Sequence, residues 1–315
     1  DGRPYIDYIV GRIFKDDELI LTGFETGQLN LVMASDDEWE RYQRDNARVL
    51  EFISERYEFL GFNFSNPVFS GEQGRALRKA IAYGIDRQSI ISNVHLGHAA
   101  QTDLPIHPNS WLLSDHANAY GYDPSKAKEI IEGIGTEGIS LRLITNSYNP
   151  IRLKVADMIA EDLENIGIEI IKDYPESVPD NLTDEMVDSQ WMEVTNQISR
   201  GNFDMALTGW HLSPAQDLSF AFHSSQIRTG TNFIRYRNPG MDEALLIAFG
   251  ESNEGNRLEA YREIEKIIIE DLPYVSLYFK NNALLIDEKV KGDIEPCFHN
   301  PYKNIRNWYI PKNFQ

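Results

Sequence analysis

Gly201-Asn-Phe-Asp-Met-Ala-Leu-Thr-Gly-Trp210-His-Leu-Ser-Pro-Ala-Gln-Asp217-Leu-Ser-Phe-Ala-Phe-His-Ser224 is the stretch on which the reading of this chain turns. Phe203 to Thr208 is a short apolar run with one charge, Asp204, and the turn pair Gly201-Asn202 precedes it. Such a run reads as a buried strand. Gly209 is expected to end the strand, leaving Trp210 and His211 where strand becomes loop. Ligands of open α/β sheets sit beyond the carboxyl ends of strands. A Trp with a polar neighbour at that point is therefore a candidate ligand wall. The alternative is a core aromatic that caps the strand, and spacing alone favours it.

Upstream, Trp191 to Ser199 reads as the helix that feeds this strand. Asp173 to Glu185 is acidic and contains proline, so it is expected to be an exposed loop. Ile168 to Lys172 and Ser140 to Thr145 read as strands. Between them Val155, Ile159 and Leu163 give the helix Ile151 to Ile166 a buried face, and Gly167 caps it. Asp123-Pro124 is an N-cap with proline at the first helical position, opening a helix that runs to about Gly133. Arg75 to Asn93 carries apolar residues near helical spacing, and Asp86 is expected to cap a second helical piece. Gln101 to Tyr120 reads as a long polar loop, with Pro105 and Pro108.

Nearer the start, Tyr5 to Phe14 alternates like a strand. Asp16 to Gly27 reads as a short acidic helix and Leu29 to Met33 as a strand. Asp36 to Asn46 is charged, with Trp39 and Tyr42 at helical spacing. Val49 to Arg56 leads into the aromatic strand Tyr57-Glu-Phe-Leu-Gly-Phe-Asn-Phe64. Downstream of the opening stretch, Ser225 to Asn238 reads as partly extended. Pro239 to Gly250 and Asn256 to Glu270 read as helices, and Tyr274 to Phe279 and Ala283 to Ile286 as strands. A tail rich in Pro, Asn and aromatics follows. Strands and helices alternate, which gives an α/β fold with a mixed β-sheet.

The chain has 315 residues, enough for one large or two ordinary domains. Its net charge of −19 argues against nucleic acid, which demands clustered Lys and Arg. Cys297 is the sole cysteine, so no intramolecular disulfide forms and no Cys-based zinc cluster exists. No apolar run approaches the roughly 20 residues that span a bilayer.

The strand, Gly-Trp, polar loop and Phe-His-Ser of the opening stretch resemble the family 5 extracellular solute-binding proteins, the peptide, dipeptide and nickel receptors of ABC importers. Four further segments in the right order carry the likeness. They are Leu77-Arg-Lys-Ala-Ile-Ala-Tyr-Gly-Ile-Asp-Arg87, Tyr122-Asp-Pro-Ser-Lys-Ala-Lys128, Asn232-Phe-Ile-Arg-Tyr-Arg-Asn-Pro239 with Met241-Asp242, and Asp271-Leu-Pro-Tyr-Val-Ser-Leu-Tyr278. The resemblance implies a lobe of the type II periplasmic-binding-protein kind plus part of a second lobe. Residues 1–62 would belong to the first lobe, 63–292 would form a complete C-terminal ligand-binding lobe, and 293–315 would return to the first. It implies a C-terminal portion, with the targeting segment and roughly 200 residues upstream. It also implies an extracytoplasmic monomer that hands a small peptide or other small solute to ABC permease subunits by closing two lobes on it. No cofactor and no metal follows from this reading. Asp173 to Glu185 resembles an insertion relative to the family.

For the ligand, three strand-end segments are expected to line one mouth. Asn146, Tyr148 and Asn149 follow one strand, Trp191 lies past the acidic loop, and Trp210, His211, Ser213 and Asp217 follow the organising strand. Aromatic walls with a few polar groups are the usual make-up of a small-molecule site. The resemblance places Trp191 and Trp210 toward the ligand, against a helix-face core residue as the alternative for Trp191. Two departures bear on the ligand. Ser213 stands where peptide receptors often carry the Asp that holds a free ammonium. No Arg occupies the Asn146 region where dipeptide receptors take a carboxylate, and Arg152 lies inside the helix. A standard dipeptide is thereby disfavoured, leaving a sugar, an opine-like compound or a peptide held through its backbone.

Other chemistry is weaker. His95 and His98 have a ligand-like spacing and His107 and His116 share the next loop, but surface histidine is the stronger reading, so a nickel-chelate receptor is a lesser alternative. Cys297 near His299 is a possible thiolate pair only if the two meet in space. No Gly-x-Ser-x-Gly occurs. A ligand-sensing domain of a transcriptional regulator uses the same fold, and the upstream sequence distinguishes it from a receptor.

Overall fold

The computed structural model describes residues 2–15, 17–34, 39–42, 46–114, 119–135, 138–146 and 148–314. His116, Asp16 and parts of the charged 36–46 stretch and the expected 101–120 loop lie outside the described residues. In chain order the elements are α1 (Asp17–Glu25), β1 (Leu31–Ala34), β2 (Ala47–Phe62), α2 (Gly71–Gly84), α3 (Arg87–Val94), β3 (Ala99–Gln101), α4 (Pro124–Ile134), β4 (Ser140–Thr145), α5 (Pro150–Asn165), β5 (Glu169–Asp173), α6 (Asp184–Arg200), β6 (Met205–His211), α7 (Ser219–Phe222), α8 (Pro239–Gly250), α9 (Glu254–Asp271) and β7 (Tyr274–Asp287). The chain divides into two compact units, residues 56–279 and residues 1–55 with 280–315.

The larger unit holds a mixed sheet in the order β7-β2-β6-β4-β5, with β3 beside β7. β4 is parallel to β5 and to β6, whereas β2 and β6 are antiparallel. The two parallel neighbours of β4 follow from the connections β4-α5-β5-α6-β6, because parallel strands need a crossover and a helix supplies it. Alternation along the strands separates two cores. Leu60, Phe62, Leu141, Leu143, Met205 and Leu207 pack with Leu77 and Ile81 of α2, Ile90 of α3, Ile131 of α4 and Val155, Ile159 and Leu163 of α5. On the other face of β2, Phe59 belongs to an aromatic layer, its ring centroid 3.8 Å from that of Tyr274 and 5.3 Å from that of Tyr57. Gly61 is what lets the segment Phe233–Ile234 lie on this layer, since a Cβ there would stand 3.0 Å from Ile234 Cγ2.

Short polar residues start the helices as their side chains dictate. Asp86 accepts from the Ser89 N–H, Asp123 from Lys126, Asn149 from Arg152, and Thr183 from Met186. Pro124 and Pro150 follow their caps at the first helical position, where the missing N–H costs nothing.

The smaller unit is organised on the second half of β7. Ala283 and Leu285 pack with Trp39, Tyr42, Phe24 and Val32, and Leu284 and Ile286 pack with Trp308 and Val290. An uninterrupted apolar run is the signature of a strand covered on both faces. β1 pairs antiparallel with this half, Leu31 opposite Ile286.

Several sequence expectations are corrected. Tyr5 to Phe14 forms no strand, and Tyr8, Ile9, Val10 and Ile13 are exposed. Alternation specifies a face but supplies no neighbour for the backbone N–H and C=O groups, and among the described residues no strand pairs with this one. α6 begins at Asp184, seven residues before Trp191, because Thr183 caps it and Asp184 and Glu185 favour its positive end. β6 does not end at Gly209. Trp210 and His211 remain in the ladder, opposite Tyr57 and Arg56. β2 begins at Ala47, well before the expected aromatic strand from Tyr57, and β7 is one long strand where two shorter ones were expected. β3 was not anticipated, being three residues of weak pattern.

Two tests follow from this packing. A Cβ on Gly74 would lie 2.1 Å from the Phe69 carbonyl carbon, while one on Gly133, in the exposed end of α4, meets nothing within 4 Å. Urea denaturation should show Gly74→Ala destabilising by about 3 kcal/mol and Gly133→Ala neutral or stabilising by about 0.5 kcal/mol. Asp162 accepts from the Asp86 N–H at 2.8 Å, and burial holds its pKa above the ordinary carboxylate value. A raised acid contributes stability only below its unfolded pKa and loses it as pH rises through the folded one. Asp162→Asn, which keeps an acceptor, should therefore stabilise at pH 7, with the gain shrinking as pH falls through the carboxylate range.

Candidate functional site

The carboxyl ends of β4 and β6 and the first turn of α5 bring four residues from four elements together. Arg152, in the first turn of α5, donates through Nε to Glu58 Oε2 at 2.8 Å and through Nη2 to Glu58 Oε1 at 2.7 Å. Its Nη1 donates to Asn146 Oδ1 at 2.7 Å, just beyond the last residue of β4. The two charged side chains are 15% and 10% exposed. Glu58 lies on β2 opposite Gly209 of β6. A Cβ at 209 would stand 2.5 Å from Glu58 Oε1 and 2.8 Å from Arg152 Nη2. Glycine is thus the residue that leaves room for the pair. Burial opposes the charge on Arg152, but the field of Glu58 and its hydrogen bonds outweigh that, and the guanidinium pKa sits above its ordinary value.

Trp210 is half-buried, on the strand face opposite to this pair. Its ring stacks at 6.1 Å on Phe59 and meets Phe220 edge-on at 5.1 Å. Its Nε1 lies 3.5 Å from the Tyr274 hydroxyl. His211, the last residue of β6, is exposed. Beyond it the loop is fixed by Gln216, which is buried with a positive φ of 55°. Gln216 Oε1 accepts from the His107 N–H at 2.7 Å, and its carbonyl accepts from the Tyr261 hydroxyl at 2.6 Å. Ser213 is exposed on this loop, its Oγ accepting from the Ala215 N–H. Asp217 Oδ1 accepts from the Ser219 N–H at 2.9 Å, a turn that leads into α7.

The sequence-selected residues are therefore partly gathered. Asn146 and Asn149 meet through Arg152, whose backbone N–H donates to Asn149 Oδ1 at 3.1 Å. Tyr148, next to Asn149 in the sequence, is half-buried. Trp210, His211, Ser213 and Asp217 occupy the end of β6 and the loop that follows. Trp191 stands apart on α6, 50% exposed, and none of the ring contacts of Trp210 involves it. Glu58, Arg152, Gly209 and Gln216 were missed as members. An acid inside an aromatic strand and a cation in a helix's first turn are each unfavourable alone, and that double anomaly is the signal that identifies the pair.

The histidines are not at the surface as expected: His95, His98 and His107 are buried. His95 packs edge-on against Tyr278 at 4.6 Å and His107 against Phe279 at 5.3 Å. Among the described residues no group of three or more His, Cys, Asp or Glu converges as a metal site. Cys297 Sγ lies 3.5 Å from His299 Nε2, so these two do meet, in the smaller unit.

Residues 1–229 match the family model described as bacterial extracellular solute-binding proteins, family 5 middle. The oligopeptide-binding protein AppA of Bacillus subtilis is 27% identical, over 99% of this chain and 58% of its own length. The peptide transport periplasmic protein SapA of Salmonella typhimurium is 28% identical, over 77% of this chain and 42% of its own. The structure of the Bacillus subtilis AppA in complex with a nonapeptide superposes with a TM-score of 0.69 at 26% identity, covering 99% of this chain and 62% of that one. HbpA2 of Haemophilus parasuis has a TM-score of 0.79 at 17% identity, covering 98% and 59%, and shows a shared fold. The fold is thus the mixed α/β fold of the type II periplasmic binding proteins. The chain spans roughly half the length of the curated relatives it matches, 58% and 42% in these cases.

Breaking a buried pair leaves one charge unpaired, which typically costs about 3–5 kcal/mol. Arg152→Met should therefore destabilise by about 3 kcal/mol in urea denaturation, and adding Glu58→Leu should recover at least half of the loss. Additive losses would mean that the two side chains do not depend on each other.

Proposed function

Because the chain belongs to the bacterial extracellular solute-binding proteins of family 5, we propose that it serves as the substrate-binding component of an ABC importer. On this reading it binds an oligopeptide outside the cytoplasm and delivers it to membrane permease subunits. It acts as a monomer and carries out no covalent step. The named relatives support a peptide, one as an oligopeptide-binding protein and one as a peptide transport protein. Residues 63–292 are proposed as the ligand-binding lobe, and the eight candidate contacts, Asn146, Tyr148, Asn149, Trp191, Trp210, His211, Ser213 and Asp217, all fall in the unit 56–279.

The observation that carries the choice of ligand is the state of the polar groups at the strand ends. Arg152 is held in a two-point pair with Glu58. Asp217 spends one oxygen on a local N–H, and Ser213 is neutral. Arg152 is thus not free to grip the carboxyl end of a zwitterionic dipeptide. A longer peptide, held through its backbone and by side chains against aromatic rings, suits neutral donors and acceptors.

Calorimetry on the full-length protein with tri- to hexapeptides, sugars and Ni-histidine tests this directly. Micromolar binding, about −8 kcal/mol, is expected for peptides alone. Trp210→Ala should weaken it by about 2 kcal/mol. Binding restricted to Ni-histidine or to a sugar would replace the peptide reading.

A further inference from the structure

The pair Glu58–Arg152 has a chemical consequence at Asn146. A guanidinium has only donors. With Arg152 Nη1 at 2.7 Å, the Asn146 carboxamide must present its oxygen to Arg152, because the flipped amide would oppose N–H to N–H. The Asn146 Nδ2 group then faces away from Arg152. Among the described residues it donates no hydrogen bond, and the residue is only half-buried. The guanidinium itself is fixed on both sides, by two hydrogen bonds to Glu58 and by its place over Gly209.

From this we infer that Arg152 and Glu58 are positioning residues that set the polarity of Asn146, making the end of β4 a neutral hydrogen-bond donor for an uncharged acceptor, the amide carbonyl of a peptide backbone. The inference deepens the peptide-receptor reading and rests on it for the identity of the ligand. The charge of Arg152 is balanced by Glu58, so the cluster offers no net positive charge to a terminal carboxylate. The Asn149 side-chain oxygen is likewise committed, to capping α5, so the side-chain amides of this strand end offer N–H donors and not oxygens. The site therefore gives a free carboxyl end no charge-based advantage over a carbonyl within a chain.

Asn146→Asp inverts the polarity with little change of shape. Aspartate still accepts from Arg152 but offers an oxygen where the amide offered N–H. In the ligand-free full-length protein, Asn146→Asp should keep or raise Tm, whereas Asn146→Leu should lower it. Equal loss in both variants would overturn the assigned orientation, whether or not any peptide binds. In calorimetry with tetra-alanine as free acid and as C-terminal amide, the wild type should bind the two forms within about threefold of each other, and Asn146→Asp should lose at least tenfold for both. Arg152→Lys, which loses the planar two-point contact with Glu58, should bind with an affinity between wild type and Asn146→Asp. A wild type that prefers the free acid by more than tenfold, or an Asn146→Asp affinity equal to wild type, would refute the neutral-donor assignment. Failure of the wild type to bind any peptide would count against the peptide-receptor reading instead, and the Tm comparison would still decide the orientation of Asn146.

Discussion

The guanidinium of Arg152 and the carboxylate of Glu58 meet at two points between β2 and α5, and the missing side chain of Gly209 gives them the space. Removing both charges from water is expensive, and only close two-point geometry with further hydrogen bonds offsets it. That geometry fixes the first turn of α5 relative to the ends of β2, β4 and β6. It also explains why β6 runs on past Gly209: the glycine serves the ion pair and does not stop the strand. With the ladder continued, Trp210 alternates to the aromatic face beside Phe59, and His211 is the last paired residue.

The strand ends therefore present two kinds of surface from one strand. Glycine 209 faces a polar cluster, and Trp210 faces rings. The loop after β6 is held by Gln216, whose buried amide joins it to His107 while its carbonyl takes the Tyr261 hydroxyl. Loops tied down in this way place binding groups reproducibly, and neutral groups next to aromatic rings are suited to peptide backbone and side chains.

Much of this was legible in the sequence for definite reasons. Proline after Asp123, the cap at Asp86 and the 3.6-residue spacing of Val155, Ile159 and Leu163 specify helices through local chemistry, and the helices are there. The ordered landmarks from Leu77 to Tyr278 led to the family. Pairing was not legible: Tyr5 to Phe14 has the alternation of a strand and forms none, while Gly209 has the look of a terminator and sits inside a ladder. Both outcomes depend on partners distant in sequence. The same holds for the site. Glu58 and Arg152 are 94 residues apart, and each is locally unfavourable until the other is placed beside it. His95, His98 and His107 show the converse, polar rings absorbed into packing that composition alone assigns to the surface.

Hydrogen–deuterium exchange on the full-length protein, with and without a mixture of tri- to hexapeptides, addresses the central claim that the ends of β4 and β6 form the ligand surface. The account predicts slowed exchange on peptide addition in segments 146–152 and 208–218, with little change in the buried stretch of β4. Protection confined to other segments, with these two unchanged while the peptides bind, would contradict it.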